Sequence, residues 1–194
     1  FYQRKNQETP GEFYERAGIW AEFGKIICIS VGIFKNEHAF RVKSFYSHDE
    51  IDLLKEFIQL LNNQPPQLIL CAHNGKEFDF PYLCRRMLAN RLEIPKSLQL
   101  QGKKPWEIIH QDTMEIWKFG DRRSYSSLEL LAELMGIEGA KIDLSGDRVN
   151  HVFYKEMDLD RIAAYCGDDV IIVAQLYLRF HFLNIVEPQN IEKL

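Results

Sequence analysis

Two residues near the end of the chain, Tyr165 and Asp169, are four positions apart in a segment with helical spacing. They therefore lie on one helix face, about one turn apart. Asp168 is rotated by about 100° from Asp169 and faces elsewhere. Apolar neighbours at Cys166 and Val170 place the stripe of Tyr165 and Asp169 beside the core. The pair is either a functional stripe that includes a metal-binding carboxylate or a polar pair that only aids solubility.

A second group of candidates, Asn74, Phe78 and Asp79, lies in the stretch "HNGKEFDF" between an apolar run and a predicted helix. Asp79 comes two residues before Pro81, where the helix is expected to start. A carboxylate there either caps the helix or points from the sheet edge toward a cleft. Asn74 and Phe78 could hold a nucleotide by hydrogen bonding and stacking.

The hydrophobic pattern predicts the elements that position these residues. Alternating or continuous apolar runs indicate strands, and apolar residues at a spacing of three and four indicate helices. The predicted elements are a helix at 9–24, a hairpin at 25–34 and 38–46, a helix at 47–61, a buried parallel strand at 67–72, a helix that ends before Pro95, a strand at 107–117, a helix at 127–136 and a helix at 159–182. This order predicts an α/β fold with a mixed sheet flanked by helices, in a single domain over residues 1–194.

Local patterns refine the ends of these elements. Ser47 with Glu50, and Ser126 with Glu129, form Ser-x-x-Glu patterns that predict capping boxes at two helix starts. Residues 138–156 are polar and are predicted to be loop. Asp112, at a strand, is expected to accept structural hydrogen bonds, with a place in the cleft as the alternative.

Together the two candidate segments resemble a known family. The form Asn-x-x-x-Phe-Asp-x-Pro-Tyr-Leu-x-x-Arg, from Asn74 to Arg86, and "YCGDD", which contains Tyr165 and Asp169, are similar to the second and third exonuclease motifs of the tyrosine-bearing DEDD 3'–5' exonucleases. The chain looks most like the proofreading exonuclease domain of family B DNA polymerases. The resemblance covers about residues 25–182 and implies a ribonuclease H-like fold.

The resemblance also implies a chemistry. In the family, four carboxylates hold two divalent cations, and Asp79 and Asp169 would be the ligands from the second and third motifs. Tyr165 would orient the attacking water. Two cations stabilise the attacking and leaving oxygens of a phosphodiester, and hard oxygen ligands select Mg²⁺ or Mn²⁺.

The family's first motif, an Asp-x-Glu on the central strand of the sheet, has no counterpart in this sequence. Glu8 has Asn6 two residues before it in place of aspartate, and the polar residues around them do not form a buried strand. We therefore expect the strand that bears this motif to precede Phe1, and a chain without it to be inactive.

Composition narrows the class further. A net charge of −4 argues against a protein that grips duplex DNA through a broad basic surface. The longest apolar runs are too short to span a bilayer, so no membrane partner is expected. The four cysteines lie in apolar segments without metal-binding spacing, and are predicted to be core thiols of a cytoplasmic protein.

These observations predict a 3'–5' exonuclease that acts on the 3' end of single-stranded nucleic acid and releases 5'-monophosphates. DNA is favoured over RNA as the substrate. The alternatives are an exonuclease that acts on RNA and a nucleic-acid-binding domain of the same fold that has lost catalysis.

Overall fold

The computed structural model describes residues 17–65, 67–121, 123–138 and 144–194. Within them, two small sheets and their helices form a mixed α/β fold, as the sequence predicted. In chain order the elements are β1 (Cys28–Asn36), β2 (Ala39–Tyr46), α1 (Glu50–Asn62), β3 (Cys71–Ala72), α2 (Asp79–Ala89), β4 (Gln111–Asp112), α3 (Thr113–Lys118), α4 (Leu128–Leu134), α5 (Val149–His151), α6 (Leu159–Phe180) and β5 (Ile191–Lys193). Half of the helix predicted at 9–24 falls outside the described residues, and in the described half a 3₁₀ turn at Ala17–Ile19 is followed by further turns. None of the described helices is long and apolar enough to cross a membrane.

The predicted hairpin is confirmed, because β1 pairs with β2 in antiparallel register. β5 pairs with the other edge of β2 in parallel register, which gives a three-stranded mixed sheet in the order β1-β2-β5. A Cβ atom on Gly32 would lie 2.1 Å from the Phe40 ring and 2.8 Å from Val170 Cγ1. The bare glycine in β1 therefore lets α6 pack directly against the hairpin.

Helix α1 confirms the predicted amphipathic helix, but its start differs from the prediction. Asp49 is the N-cap residue, and its Oδ1 accepts the N–H of Ile51 at 2.8 Å and of Asp52 at 3.1 Å. The predicted capping box of Ser47 and Glu50 is wrong, because the short aspartate side chain next to the helix supplies the acceptor. Glu50 is left free to turn into the core, where it is 7% exposed.

The second sheet is shorter and less buried than predicted. β3 and β4 pair in parallel over two residues each. Ile69 is 56% exposed and Cys71 is also exposed, so neither the wholly buried strand nor the core position of this thiol is confirmed. The strand predicted at 107–117 stops at Asp112, whose carboxylate caps α3 by accepting the N–H groups of Met114 and Glu115. Local capping by an aspartate therefore ends the strand and starts a helix.

Residues 146–156 are helical, so the loop predicted over 138–156 is wrong there. A 3₁₀ turn (Gly146–Arg148), α5 and a π-helical turn (Val152–Glu156) follow one another. Val152 and Phe153 are buried with Leu144 and Ile162. These four apolar side chains stabilise a segment whose overall composition is polar.

The main core lies between α1, α2 and the hairpin. Its buried residues are Ile26, Ile29, Phe45, Leu53, Leu54, Phe57, Leu61, Phe80, Met87 and Leu98. Helix α6 packs on the hairpin and on α4, with Ile172 and Leu176 almost fully buried. This packing sets the positions of α2 and α6, the two helices that carry the candidate site residues.

A buried ion pair holds α2 against α1. Arg86 donates from Nε and Nη2 to the two carboxylate oxygens of Glu50, at 2.9 Å and 2.5 Å, and from Nη1 to the Ala21 carbonyl at 2.8 Å. The same carboxylate accepts the Ile26 N–H at 2.7 Å and the Asn90 amide at 2.9 Å. Burial favours the neutral acid, but these hydrogen bonds outweigh it and lower the pKa of Glu50. The arginine that ends the second motif therefore has a structural role.

Candidate active site

Asp79 is the first residue of α2, and it does not occupy the N-cap position. That position belongs to Phe78, which forms no side-chain hydrogen bond to the helix. The Asp79 side chain reaches solvent, yet dense protein surrounds it and excludes much of the nearby water. This desolvation raises its pKa to about 6, against a hydrogen bond from its own backbone, and the charge of Asp112 adds a smaller increase.

The loop before Asp79 has backbone reasons for its Asn-Gly sequence. Asn74 has φ of 60°, a left-handed conformation that asparagine tolerates better than most residues. Its N–H donates to Asp112 Oδ1 at 2.9 Å, and its carbonyl accepts the Phe78 N–H at 3.0 Å. A Cβ atom on Gly75 would lie 2.4 Å from the Cβ of Ala72, so a side chain there would collide with the end of β3.

Phe78, the residue before Asp79, presents an exposed aromatic ring. The ring is 45% exposed and is tilted against Tyr82 at a centroid distance of 5.7 Å. Tyr82 is itself fixed, because its hydroxyl donates to the Gly18 carbonyl at 2.7 Å. The exposed ring is therefore held at a defined place next to the candidate ligand.

On α6, Tyr165 and Asp169 form the single stripe that their spacing predicts. The Tyr165 hydroxyl donates a hydrogen bond to the Asp169 carboxylate, and both side chains are half-buried. Burial first, and then the charge of Asp169, raise the pKa of Tyr165, so this hydroxyl keeps its proton. Asp168 points away and forms a salt bridge of 2.5 Å with Lys193 in β5. The two adjacent acids thus have different surroundings.

The pKa of Asp169 is raised to about 6, chiefly by burial, while the hydrogen bond from Tyr165 lowers it. The charges of Glu129, Asp168 and Asp79 add to the increase. Because Coulomb interactions weaken with distance, Asp79 lies near enough for its charge to act on Asp169, with the smallest effect of the three acids. The structure therefore joins Tyr165 to Asp169 directly and places Asp79 within electrostatic range of Asp169.

Glu129 is an acid near this site that the sequence interpretation placed in a capping box. The predicted box is wrong, because Ser127 is the N-cap residue of α4 and accepts the Leu130 N–H at 3.2 Å. Glu129 is exposed, and its charge raises the pKa of both Tyr165 and Asp169. No pattern around Glu129 signals this proximity, which depends on how α4 packs against α6.

The donor chemistry of the site fits a divalent cation. Asp79 and Asp169 are hard oxygen donors. Their pKa values are raised because the carboxylates are partly desolvated and no neighbouring cation among the described residues balances their charge. Neither forms a salt bridge within the four described stretches of the chain. No group of three or more His, Cys, Asp or Glu residues in those stretches is arranged to hold a metal ion. The described residues therefore supply part of a ligand set.

The carboxylates and the tyrosine of this α/β fold are groups suited to metal-assisted hydrolysis. A comparison with protein families gives the narrower class: residues 19–190 match the family described as predicted 3'–5' exonucleases related to the exonuclease domain of PolB. Because this match spans most of the chain, the chain belongs to that family. No curated protein matches the chain.

The raised pKa of Asp169 predicts a pH-dependent stability of the metal-free protein. Its folded pKa of about 6 lies above the ordinary value of 3.8, so the folded state binds a proton that the unfolded state releases. Stability contributed by this proton is present at low pH and is lost as pH rises toward about 6. We expect Asp169→Asn to stabilise the metal-free protein at neutral pH by about 1 kcal/mol, a value reduced for solvent screening of a half-buried group.

Urea unfolding of the full-length protein in chelator, at about pH 5 and about pH 7, measures this effect. The gain from Asp169→Asn should be larger at the higher pH. An equal gain at both pH values would mean that the carboxylate is not desolvated in the folded state.

Proposed function

We propose that the protein is a 3'–5' exonuclease that hydrolyses terminal phosphodiesters of single-stranded nucleic acid, with DNA favoured, and releases nucleoside 5'-monophosphates. The observation that carries this proposal is the convergence of Asp79 with the stripe of Tyr165 and Asp169. Two carboxylates have raised pKa values, the charge of Asp79 raises the pKa of Asp169, and Asp169 accepts a hydrogen bond from a protonated tyrosine hydroxyl. Such uncompensated acids are characteristic of sites that take up cations.

Asp79 and Asp169 would hold two divalent cations, Mg²⁺ or Mn²⁺, together with carboxylates from elsewhere. When bound, the cations would supply charge stabilisation and a nucleophilic water. The chain's own contribution is positional. Tyr165, whose single O–H donates to Asp169, would orient the water by accepting a hydrogen bond from it at the hydroxyl oxygen.

The remaining ligands would come from an Asp-x-Glu strand inserted between β1 and β3, which would complete a ribonuclease H-like sheet. In the described residues β1 pairs only with β2, and β3 pairs only with β4. Ile29 and Val31 of β1, Ala72 of β3 and Leu70 just before β3 belong to one hydrophobic cluster. The open edges of β1 and β3 border the same core, so one further strand could pair with both of them. We also propose a cytoplasmic location, in keeping with four free thiols.

Phe78 would stack on a base at the 3' end, and Asn74 would hydrogen-bond the nucleotide. The exposed ring beside Asp79 supports the stacking role, because base–aromatic stacking tolerates any sequence. We expect Phe78→Ala to raise KM for a single strand about tenfold, in line with the loss of ~1–3 kcal/mol of stacking, and to change kcat less. Initial rates over a range of strand concentrations measure the split. Phe78→Tyr, which keeps the stacking surface, should restore KM, whereas an unchanged KM in the alanine variant would remove Phe78 from the binding site.

The test of the function uses the full-length protein with 5'-labelled single-stranded DNA or RNA of the same sequence. With Mn²⁺ a ladder should grow from the 3' end of the DNA, and chelator should stop it. Faster trimming of the RNA strand than of the DNA strand would mean that RNA is the preferred substrate. Tight binding without cleavage in Mn²⁺ and in Mg²⁺ would favour a binding domain that has lost catalysis.

A further inference from the structure

One buried carboxylate, that of Asp112 at the end of β4, binds four backbone N–H groups from two separate segments. The side chain is 3% exposed. Its Oδ1 accepts the N–H of Asn74 at 2.9 Å, and the N–H groups of Met114 and Glu115 at 3.0 Å and 3.3 Å. Its Oδ2 accepts the Lys76 N–H at 3.0 Å. Two of these donors start α3, and the other two lie in the loop that leads to Asp79.

Capping a helix does not require this arrangement. Asp49 caps α1 with Oδ1 alone, which accepts both helical N–H groups. Asp112 does the same for α3 and in addition holds Asn74 and Lys76. The loop contacts are therefore a second role, separable from the cap because Lys76 uses the other oxygen.

The loop that Asp112 holds leads directly into the catalytic helix. From Lys76 only Glu77 and Phe78 intervene before Asp79, and the Phe80 N–H donates to the Gly75 carbonyl at 2.8 Å. The Gly75 backbone is already pressed against Ala72. With the loop fixed at 74–76 on one side and its end bonded back to Gly75, the start of α2 has little freedom to move.

We infer that Asp112 is a positioning residue of the exonuclease site, which sets the place of the Asp79 carboxylate through the backbone of the 74–76 loop. This role rests on the proposed function, in which Asp79 is a metal ligand. Groups that orient metal ligands typically change metal affinity by about 10- to 100-fold when they are removed.

Asp112→Asn separates the two roles atom by atom. The amide oxygen of asparagine can take the place of Oδ1 and accept the N–H groups of Asn74, Met114 and Glu115. The opposite orientation is disfavoured, because the amide NH₂ would then face these three N–H donors. The amide NH₂ then faces the Lys76 N–H, so this hydrogen bond is lost. Asp112→Ser is the second variant, because serine still caps a helix but is too short to serve the loop as well. Asp49→Asn is the matched control at a remote helix cap.

Amide hydrogen exchange of the full-length protein tests the inference without metal or substrate. At Lys76 exchange should rise at least about tenfold in Asp112→Asn, while the amides of Met114 and Glu115 keep their protection. Mn²⁺ binding by calorimetry should weaken about tenfold in Asp112→Asn and Asp112→Ser, and not in Asp49→Asn. Wild-type exchange at Lys76, or wild-type Mn²⁺ affinity in both Asp112 variants, would overturn the inference. If the wild-type protein itself binds no Mn²⁺ and cuts no strand, the proposed function fails, and the exchange result still decides whether Asp112 holds the loop.

Discussion

Replacing Asp169 with asparagine is expected to slow 3'–5' trimming of a single strand by at least about a thousandfold. The variant removes a negative oxygen donor from the proposed cation site and replaces the acceptor for the Tyr165 hydroxyl with a neutral amide. A loss of about 4 kcal/mol of transition-state stabilisation corresponds to that factor, and several kcal/mol is typical of metal-assisted charge stabilisation. Rates of 3' laddering on end-labelled DNA, with saturating Mn²⁺, measure the change in the full-length protein.

The adjacent acid provides the matched control. Asp168→Asn removes the same charge one residue earlier on α6, but this side chain is bound to Lys193 and belongs to another face. Its variant should retain activity within about threefold, because an exposed salt bridge contributes little. Equal losses for the two variants would contradict the assignment of the functional stripe to Tyr165 and Asp169.

Replacing Arg86 with methionine is expected to destabilise the folded protein by about 3–5 kcal/mol, a large part of the ~5–15 kcal/mol typical of a domain. Methionine keeps much of the apolar part of the arginine side chain, but it leaves the Glu50 carboxylate buried without its charged partner. It also frees the Ala21 carbonyl, which loses its hydrogen bond. Urea unfolding at neutral pH measures the loss, which should shrink below about pH 4.5, where the unfolded glutamate is protonated.

An exposed arginine gives the comparison. Arg41 donates to Glu192 at 2.8 Å, but both side chains are more than one-third exposed. Arg41→Met should therefore change the free energy of unfolding far less than Arg86→Met does. A similar small loss for Arg86→Met would mean that the pair of Glu50 and Arg86 adds little to stability.

The long elements could be predicted because their apolar spacing repeats over several turns. The hairpin, α1, α2 and α6 each bury one continuous face, and the period of that face determines the type of element. Helix α6 ends at Phe180, two residues before the predicted end. Such repetition is absent from the short elements, which explains why these were predicted less well.

Errors arose where neighbouring residues compete for one local role. At α1 both Ser47 and Asp49 can accept the first helical N–H groups, and Asp49 does so because it is adjacent to the helix. At 107–117 the β-rich composition favours a strand, but the Asp112 carboxylate starts a helix after it. The outcome of such competition depends on geometry that the residue types do not determine.

The site itself could be predicted only in part. Helical spacing alone separates Asp169 from Asp168, since that requires only the rotation per residue. The meeting of Asp79 with Asp169 depends on the packing of α2 and α6 around the hairpin, and was expected only from the family resemblance. The approach of Glu129 had no signal in the sequence at all.

The edge of β1 that no described strand covers has a consequence for how the protein behaves in solution. Its outer half, from Gly32 to Asn36, is exposed, and Ile33 is 58% exposed there with Lys35 as its only charge. Natural edge strands are usually blunted by several charges, a proline or a cover. In a molecule where no strand covers this edge, the unpaired N–H and C=O groups of β1 can pair with a strand of another molecule. We therefore expect such molecules to aggregate.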